Sequence, residues 1–228
     1  MPPPSARPDG TFTLSEHESK ERLAALGIPV APERLVTDAD AAGRAAAEIG
    51  FPVAVKLCGR AIAHKTERGL LRLDVRDEAS AREAARELLA AARPEDGDVG
   101  VLVSRMVKGK RELIAGAALD PTFGPCVAFG IGGIFAEALK DVVFRLAPLE
   151  RVDAEEMIDQ VRNAAWLAPF RGEPAVDRAR LADVLVGLAR LMAEDSSIVS
   201  IDVNPLIVSD GVATAVDALI EVRKDGAS

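Results

Sequence analysis

The 228-residue sequence predicts an α+β protein built on antiparallel sheet, and three observations carry that prediction. Helical and strand-like segments are mixed without a regular β-α-β alternation, which argues against a doubly wound nucleotide fold. Strand-like runs follow one another through short turns at Lys108-Gly109-Lys110, Asp120-Pro121 and Asp210-Gly211. The composition, 49% hydrophobic and 28% charged, is that of a protein with a real core and a polar surface.

The elements follow in order. The opening MPPPSARPDG lacks the apolar stretch of a signal peptide, and residues 1–12 read as a disordered tail. Thr13 to Leu26 carries leucines among charges and reads as a helix, stopped by Gly27 and Pro29. An alanine-rich helix runs from Asp38, its cap, to Ile49. The strand PVAVKL follows, then a polar loop, then the alternating strand GLLRLDV. DEASAREAARELLAAA is made of good helix formers. VGVLVSRMV, RELIAGAAL and PCVAFGIG read as three strands, followed by helices near 153–163 and 176–193 and a closing hairpin. The polar stretch ARPEDGD suggests a boundary near residue 95, giving a lobe at 13–95 and a second at 96–228.

Bulk properties exclude some functions. A net charge of −8 argues against general nucleic-acid binding. No apolar run has the length to span a membrane. Cys58 and Cys126 are far apart, without metal-like spacing, and read as buried free thiols of a cytoplasmic protein.

The closing hairpin, SIVSIDVNPLIVSDGVATAVDALIEV, is the most informative stretch. Asp210-Gly211 suits a two-residue turn, because both central positions need positive φ. Counting back from that turn sets Ser209 opposite Val212 and Asn204 opposite Asp217. Alternation puts Asp202 on the face of Asn204, with Ile201, Val203 and Val216 on the other. Pro205 introduces a bulge into this register. An amide oxygen beside carboxylates is a hard oxygen donor set that suits Mg²⁺, which takes one or two protein ligands and fills its shell with phosphates and water. For Asp202 taken alone, a merely solvated strand face is the simpler reading.

Three further constellations are ambiguous by themselves. Lys56 stands mid-strand in an apolar run and must snorkel or meet an anion; a phosphate and an edge-strand role both fit. The loop CGRAIAHKTERGLLRL, with Gly59, Arg60, His64, Lys65, Arg68 and Gly69, is cationic and able to close over phosphates, as many surface loops are. FGIGGIFAEALKDVVFR carries Gly130, Gly132 and Gly133 without dinucleotide spacing, so tight packing and close approach to a ligand both remain open. Glu137, Lys140, Asp141 and Arg145 after it suggest an ion network.

Together, FPVAVKLCGRAIAHKTERGLLRLDV, RELIAGAALDPTFGPCVAFGIGGIFAEALKDVVFRLAPL and IDVNPLIV with AVDALI resemble the ATP-grasp subunit of ADP-forming acyl-CoA synthetases, and more distantly the β subunit of succinyl-CoA synthetase. The resemblance implies an ATP-grasp fold of two α+β lobes with mainly antiparallel sheets. It implies ATP/ADP and Mg²⁺ as ligands. Lys56 matches the lysine that holds nucleotide phosphates, Glu112 a glutamate lining the nucleotide site, and Gly69 lies in the phosphate loop. Asn204 and Asp217 match the metal ligands, Asp202 the acid that supports a phosphohistidine, and His64 a histidine that relays the phosphoryl group. A CoA-binding α-type partner subunit, and so a hetero-oligomer, is implied as well. Two positions depart from the pattern: Gly69-Leu70-Leu71 replaces a GGV run, and Arg105 in SRMV puts a base where the pattern has an acid. An alternative function is a non-catalytic nucleotide-binding module that regulates a CoA-linked or acetyltransferase partner.

Overall fold

The computed structural model describes residues 10–62, 65–133 and 141–223. The chain divides into two compact units, one from residues 1–18 and 31–106, the other from 19–30 and 107–228. The expected boundary near residue 95 is thus displaced to Met106. The reason is pairing: strand β5 (Gly100–Arg105) hydrogen-bonds to strands of the first unit on both sides.

In the first unit, β1 (Thr11–Thr13) leads into α1 (Glu16–Ala25), which crosses from the first unit to the second after Glu18. The start of α1 at Glu16 is set by a capping box: the Ser15 N–H donates to Glu18 Oε2 at 2.8 Å and the Glu18 N–H to Ser15 Oγ at 3.3 Å. The four-stranded sheet has the order β2 (Glu33–Val36), β5, β3 (Val53–Cys58), β4 (Leu71–Val75), every pair antiparallel. Helices α2 (Ala39–Ile49) and α3 (Glu78–Ala90) join it in one core. Their alanines Ala42, Ala45, Ala46, Ala81, Ala84 and Ala85 are buried with Val53, Val55 and Leu57 of β3. Small side chains let the two helices pack closely, and the cohesion comes from apolar area removed from water. Asp38 and Asp77 cap them by accepting from Ala41 N and Ser80 N.

The second unit's strands run in the order β11 (Leu219–Arg223), β9 (Ile198–Ser209), β6 (Arg111–Asp120), β7 (Gly124–Ile131), β8 (Val142–Leu146), with β10 (Val212–Ala215) also on β9. These pairs are antiparallel as well. Helix α5 (Arg178–Glu194) packs on β6, β7 and β9, and α4 (Arg151–Gln160) packs on α5 and β8. The core joins Leu181, Leu185 and Leu188 of α5 to inward residues Leu113, Ala115, Phe129, Ile201 and Val203. The partners of those inward residues in sequence, Glu112, Ile114 and Gly116 on β6 and Asp202 and Asn204 on β9, alternate out of the core.

Strands β2 and β8 carry no prediction in the sequence. Each is short, lies at the end of its sheet and pairs on one side only, so its register comes from β5 or β7 rather than from its own pattern. Of the suggested ion network, Glu137 and Lys140 lie outside the described residues. Buried Asp141 accepts from the backbone N–H groups of Arg162 and Asn163 and from Asn163 Nδ2, each at 2.9 Å. Burial alone would raise its pKa, but these donors outweigh burial and hold it below the usual carboxylate range.

Candidate functional site

The oxygen-bearing hairpin folds largely as its turn chemistry dictates. Asp210 and Gly211 have φ of 49° and 83°, and Ser209 pairs with Val212. Pairing runs on to Leu206 with Ala215 and resumes at Asp202 with Leu219. Both stretches share one register, so the intervening residues 216–218 and 203–205 match in number. Asp217 therefore stands level with Asn204, although 216–218 are not strand; the Val216 N–H donates to Pro205 O at 3.3 Å across the gap. On the other side of β9, Leu113 pairs with Leu206 and Ala115 with Val203, so Ile114 alone faces Asn204 and Pro205. The hairpin register is thus kept through Pro205, and the irregularity lies instead between β6 and β9. It preserves the inward direction of Val203 and Leu206 while turning Asn204 out of the core.

Asp202 lies opposite Gly116 on β6. Only glycine fits there: a Cβ at 116 would sit 2.7 Å from the Ile201 carbonyl oxygen. The Asp202 carboxyl titrates above its ordinary range, first because surrounding protein removes water from it and then because the Asp217 carboxylate repels its charge. The side chain as a whole remains exposed, so solvent screens part of both effects. Among the described residues no three His, Cys, Asp or Glu side chains form a metal-holding group. The set is instead Asp202 and Asn204 on the outward face of β9, with Asp217 in the gap beside them, level with Asn204 and repelling Asp202. Such a donor set fits a hard divalent cation that keeps most of its shell for phosphate and water.

Glu112 shares that outward face, three strand positions of β6 from Ala115. The glycine run after β7 packs directly on it: the Gly132 N–H donates to Glu112 O at 2.8 Å, and a Cβ at 133 would lie 3.3 Å from Glu112 Oε2. Gly130 has a backbone neighbour too, since its Cβ would meet Asp141 O at 2.4 Å. Close backbone packing thus accounts for these glycines.

In the first unit Lys56 does meet an anion, and it is a carboxylate. Lys56 is 7% exposed, and its Nζ lies 2.6 Å from Glu16 Oε1. Glu16, 4% exposed, also pairs through Oε2 with Lys65 of the following loop. The loop's other cations are matched in the same way: Arg60 by Glu18, and Arg68 in two parallel bonds of 2.7 and 2.8 Å by Asp96. Burial would raise Glu18, but Arg60 and the Ser15 N–H and hydroxyl bring it down to about 2. Gly69, with φ of 66°, closes the loop's last turn, in which Leu70 N–H donates to Lys65 O at 2.8 Å. His64 lies outside the described residues.

Arg105, the base in place of an acid, points its Nη1 at the Ile49 carbonyl, 2.8 Å away at the C-terminus of α2. A cation there complements the helix dipole. The sequence reading missed Glu16 as the partner of Lys56. The available signal was the Ser15-x-x-Glu18 capping spacing, which starts the helix at Glu16 and brings that carboxylate to its first position.

The sequence matches the ATP-grasp domain family over residues 5–222. It is 41% identical over 208 residues to the β subunit of ADP-forming acetate–CoA ligase I of Pyrococcus furiosus, covering 90% of each chain. The β subunit of ligase II from the same organism is 37% identical over 221 residues, with 94% of this chain and 93% of the relative covered. Among solved structures, acetyl-coenzyme A synthetase 1 of Ca. Korarchaeum cryptofilum with coenzyme A and Ca-AMPCP matches at TM-score 0.86 and 37% identity, covering 93% of this chain and 94% of that one. Another structure of that enzyme, holding coenzyme A and Mg-AMPPCP with its phosphohistidine segment pointing towards the nucleotide-binding site, matches at TM-score 0.80 and 38% identity, with 93% of both chains covered. The chain therefore belongs to the ATP-grasp family, with the β subunits of the ADP-forming acetate–CoA ligases.

Proposed function

We propose that this chain is the nucleotide-binding subunit of an ADP-forming acyl-CoA synthetase, working with a CoA-binding α-type subunit. The reaction is acyl-CoA + ADP + phosphate ⇌ carboxylate + CoA + ATP. A phosphate oxygen replaces the CoA thiolate on the acyl carbon, giving an acyl phosphate. A histidine nitrogen then takes the phosphoryl group as the carboxylate leaves, and the β-phosphate of ADP takes it from histidine, giving ATP. The observation that carries this reading is the outward pair Asp202 and Asn204 of β9 with Asp217 level with Asn204 across the gap.

Each unit has its part. In the second, Asn204 and Asp217 would hold Mg²⁺, and Asp202 supports the phosphohistidine; the ion, when bound, offsets phosphate charge. Glu112, on the same face, lines the nucleotide. In the first unit Lys56 engages phosphate, a role that its ammonium group can share with Glu16 because it has three donors. Gly69 lets the adjoining turn approach phosphates closely. His64 relays the phosphoryl group. The regulatory-module alternative rests on Arg105, a base where the family pattern has an acid; the guanidinium caps α2.

The test is reconstitution with the CoA-binding subunit, acetyl-CoA, ADP, phosphate and Mg²⁺, following ATP formation. A base-stable, acid-labile label from γ-labelled ATP identifies phosphohistidine. In His64→Ala, ADP binding is expected to persist while phosphoryl transfer is lost. Turnover equal to the parent would remove the relay role, and nucleotide binding without any transfer in the parent protein would favour the regulatory module.

A further inference from the structure

The gap between β10 and β11 that carries Asp217 has no strand ladder of its own, and a distant segment of the second unit holds it. Ala215 N–H donates to Pro29 O at 2.9 Å, and Val30 forms a parallel bridge with Ala215. On the far side Ile220 N–H donates to Ser19 Oγ at 3.1 Å, a buried bond spanning 201 residues. Between them lies the Lys20 ammonium, 3.5 Å from the Val216 carbonyl oxygen. Lys20 is 1% exposed, among the most buried large side chains of the protein. Burying an ammonium is costly unless anions and carbonyls surround it. Its location, next to the carbonyl that precedes Asp217, puts that cost where the backbone is least supported by strand pairing.

We propose that Lys20 is a positioning residue of the divalent-ion site: it fixes the 216–218 segment so that the Asp217 carboxylate stays in place whether or not an ion is bound. The proposal rests on reading Asp202, Asn204 and Asp217 as that site. It carries a consequence that mere structural support does not. Mg²⁺ demands near-ideal octahedral geometry at short distances, whereas Ca²⁺ accepts a looser, longer-range shell. A displaced Asp217 therefore penalises Mg²⁺ more than Ca²⁺, so Lys20 sets ion preference.

The experiment is calorimetric titration of the full chain with ADP, first without metal, then with Mg²⁺, then with Ca²⁺. In Lys20→Met the metal-free ADP affinity is expected to stay within about twofold of the parent. The tightening by Mg²⁺ is expected to fall about tenfold and that by Ca²⁺ about threefold or less, from their different geometric tolerance. An unchanged Mg²⁺ effect overturns the proposal, as does a fall of all three affinities by the same factor, which marks a structural role alone. A parent protein that binds ADP with no metal effect overturns the ion-site reading itself and the proposal with it. Should Lys20→Met fail to fold, Lys20→Arg takes its place. Its larger head displaces the Val216 carbonyl, so the preference for Mg²⁺ is expected to shrink there too, and an unshifted preference overturns the proposal.

Discussion

Arg111 offers a direct test of how β6 is held in register beside the site. Its guanidinium is fully buried, one residue before Glu112, and anchors the segment from Trp166 to Pro174. Nη2 donates to Pro174 O at 2.6 Å, Nη1 to Ala168 O at 3.1 Å and Trp166 O at 3.4 Å, and Nε to Glu173 Oε2 at 3.1 Å. Arg111→Met keeps much of the volume and removes every donor. The Glu173 side chain is 22% exposed and can turn to water, so its loss is small. Pro174 and Ala168 are exposed residues, so water takes over part of what their carbonyls lose, and each lost charge-assisted bond is worth about 1 kcal/mol. With a small contribution from Trp166, the expected destabilisation is about 2 kcal/mol. For a unit of this size that lowers Tm by about 6 °C. Scanning calorimetry that resolves the transitions of the two units, with urea melts to check an unchanged m-value, measures it. A loss under about 1 kcal/mol would show that the three carbonyls find other donors and that Arg111 is no anchor.

Other outcomes follow from the same geometry. Asp202 titrates higher in the folded state than its ordinary 3.8, so its contribution to stability is lost as pH rises from that value through the raised one. Asp217→Asn removes the charge repulsion, and an NMR titration is expected to show Asp202 shifted down; an unmoved titration would mean that the two side chains do not sense each other. Glu18 behaves oppositely: its stabilising contribution is present above the ordinary 4.5 and lost as pH falls towards about 2. Acid unfolding of Glu18→Gln should therefore be flatter across that window, and a parallel curve would contradict the pairing with Arg60. Gly116→Ala forces a Cβ to 2.7 Å from Ile201 O, so β6 and β9 must separate. The expected cost is about 1–3 kcal/mol, with weaker Mg²⁺-dependent ADP binding, because Asp202 moves with β9. Normal stability and binding would show that the strands yield without cost.

The readable features of the sequence are those with local causes. The Asp210-Gly211 turn fixes the β9–β10 register because only certain residues accept its dihedral angles, and alternation then places Asp202 and Asn204 on one face. The bulge expected at Pro205 falls on the β6 side of β9 rather than in the hairpin, because Pro205 has no N–H to give a ladder and β6 supplies one residue where β9 has two. The Asp38 cap of α2 is legible for the same reason. Edge strands β2 and β8 were not legible, since one-sided pairing imposes little pattern. His64, expected to relay phosphate, lies outside the described residues.

By itself the sequence determined that Lys56 must snorkel or meet an anion and that Asp202 and Asn204 share a face of the hairpin, because burial cost and strand periodicity act residue by residue. Tertiary structure alone decided which anion, Glu16, 40 residues away, and that the Lys20 ammonium meets the Val216 carbonyl, 196 residues away. It also decided that the first unit extends to Met106, through the pairing of β5. These choices depend on which distant segments the packed core brings within a few ångströms, and no local pattern encodes that distance.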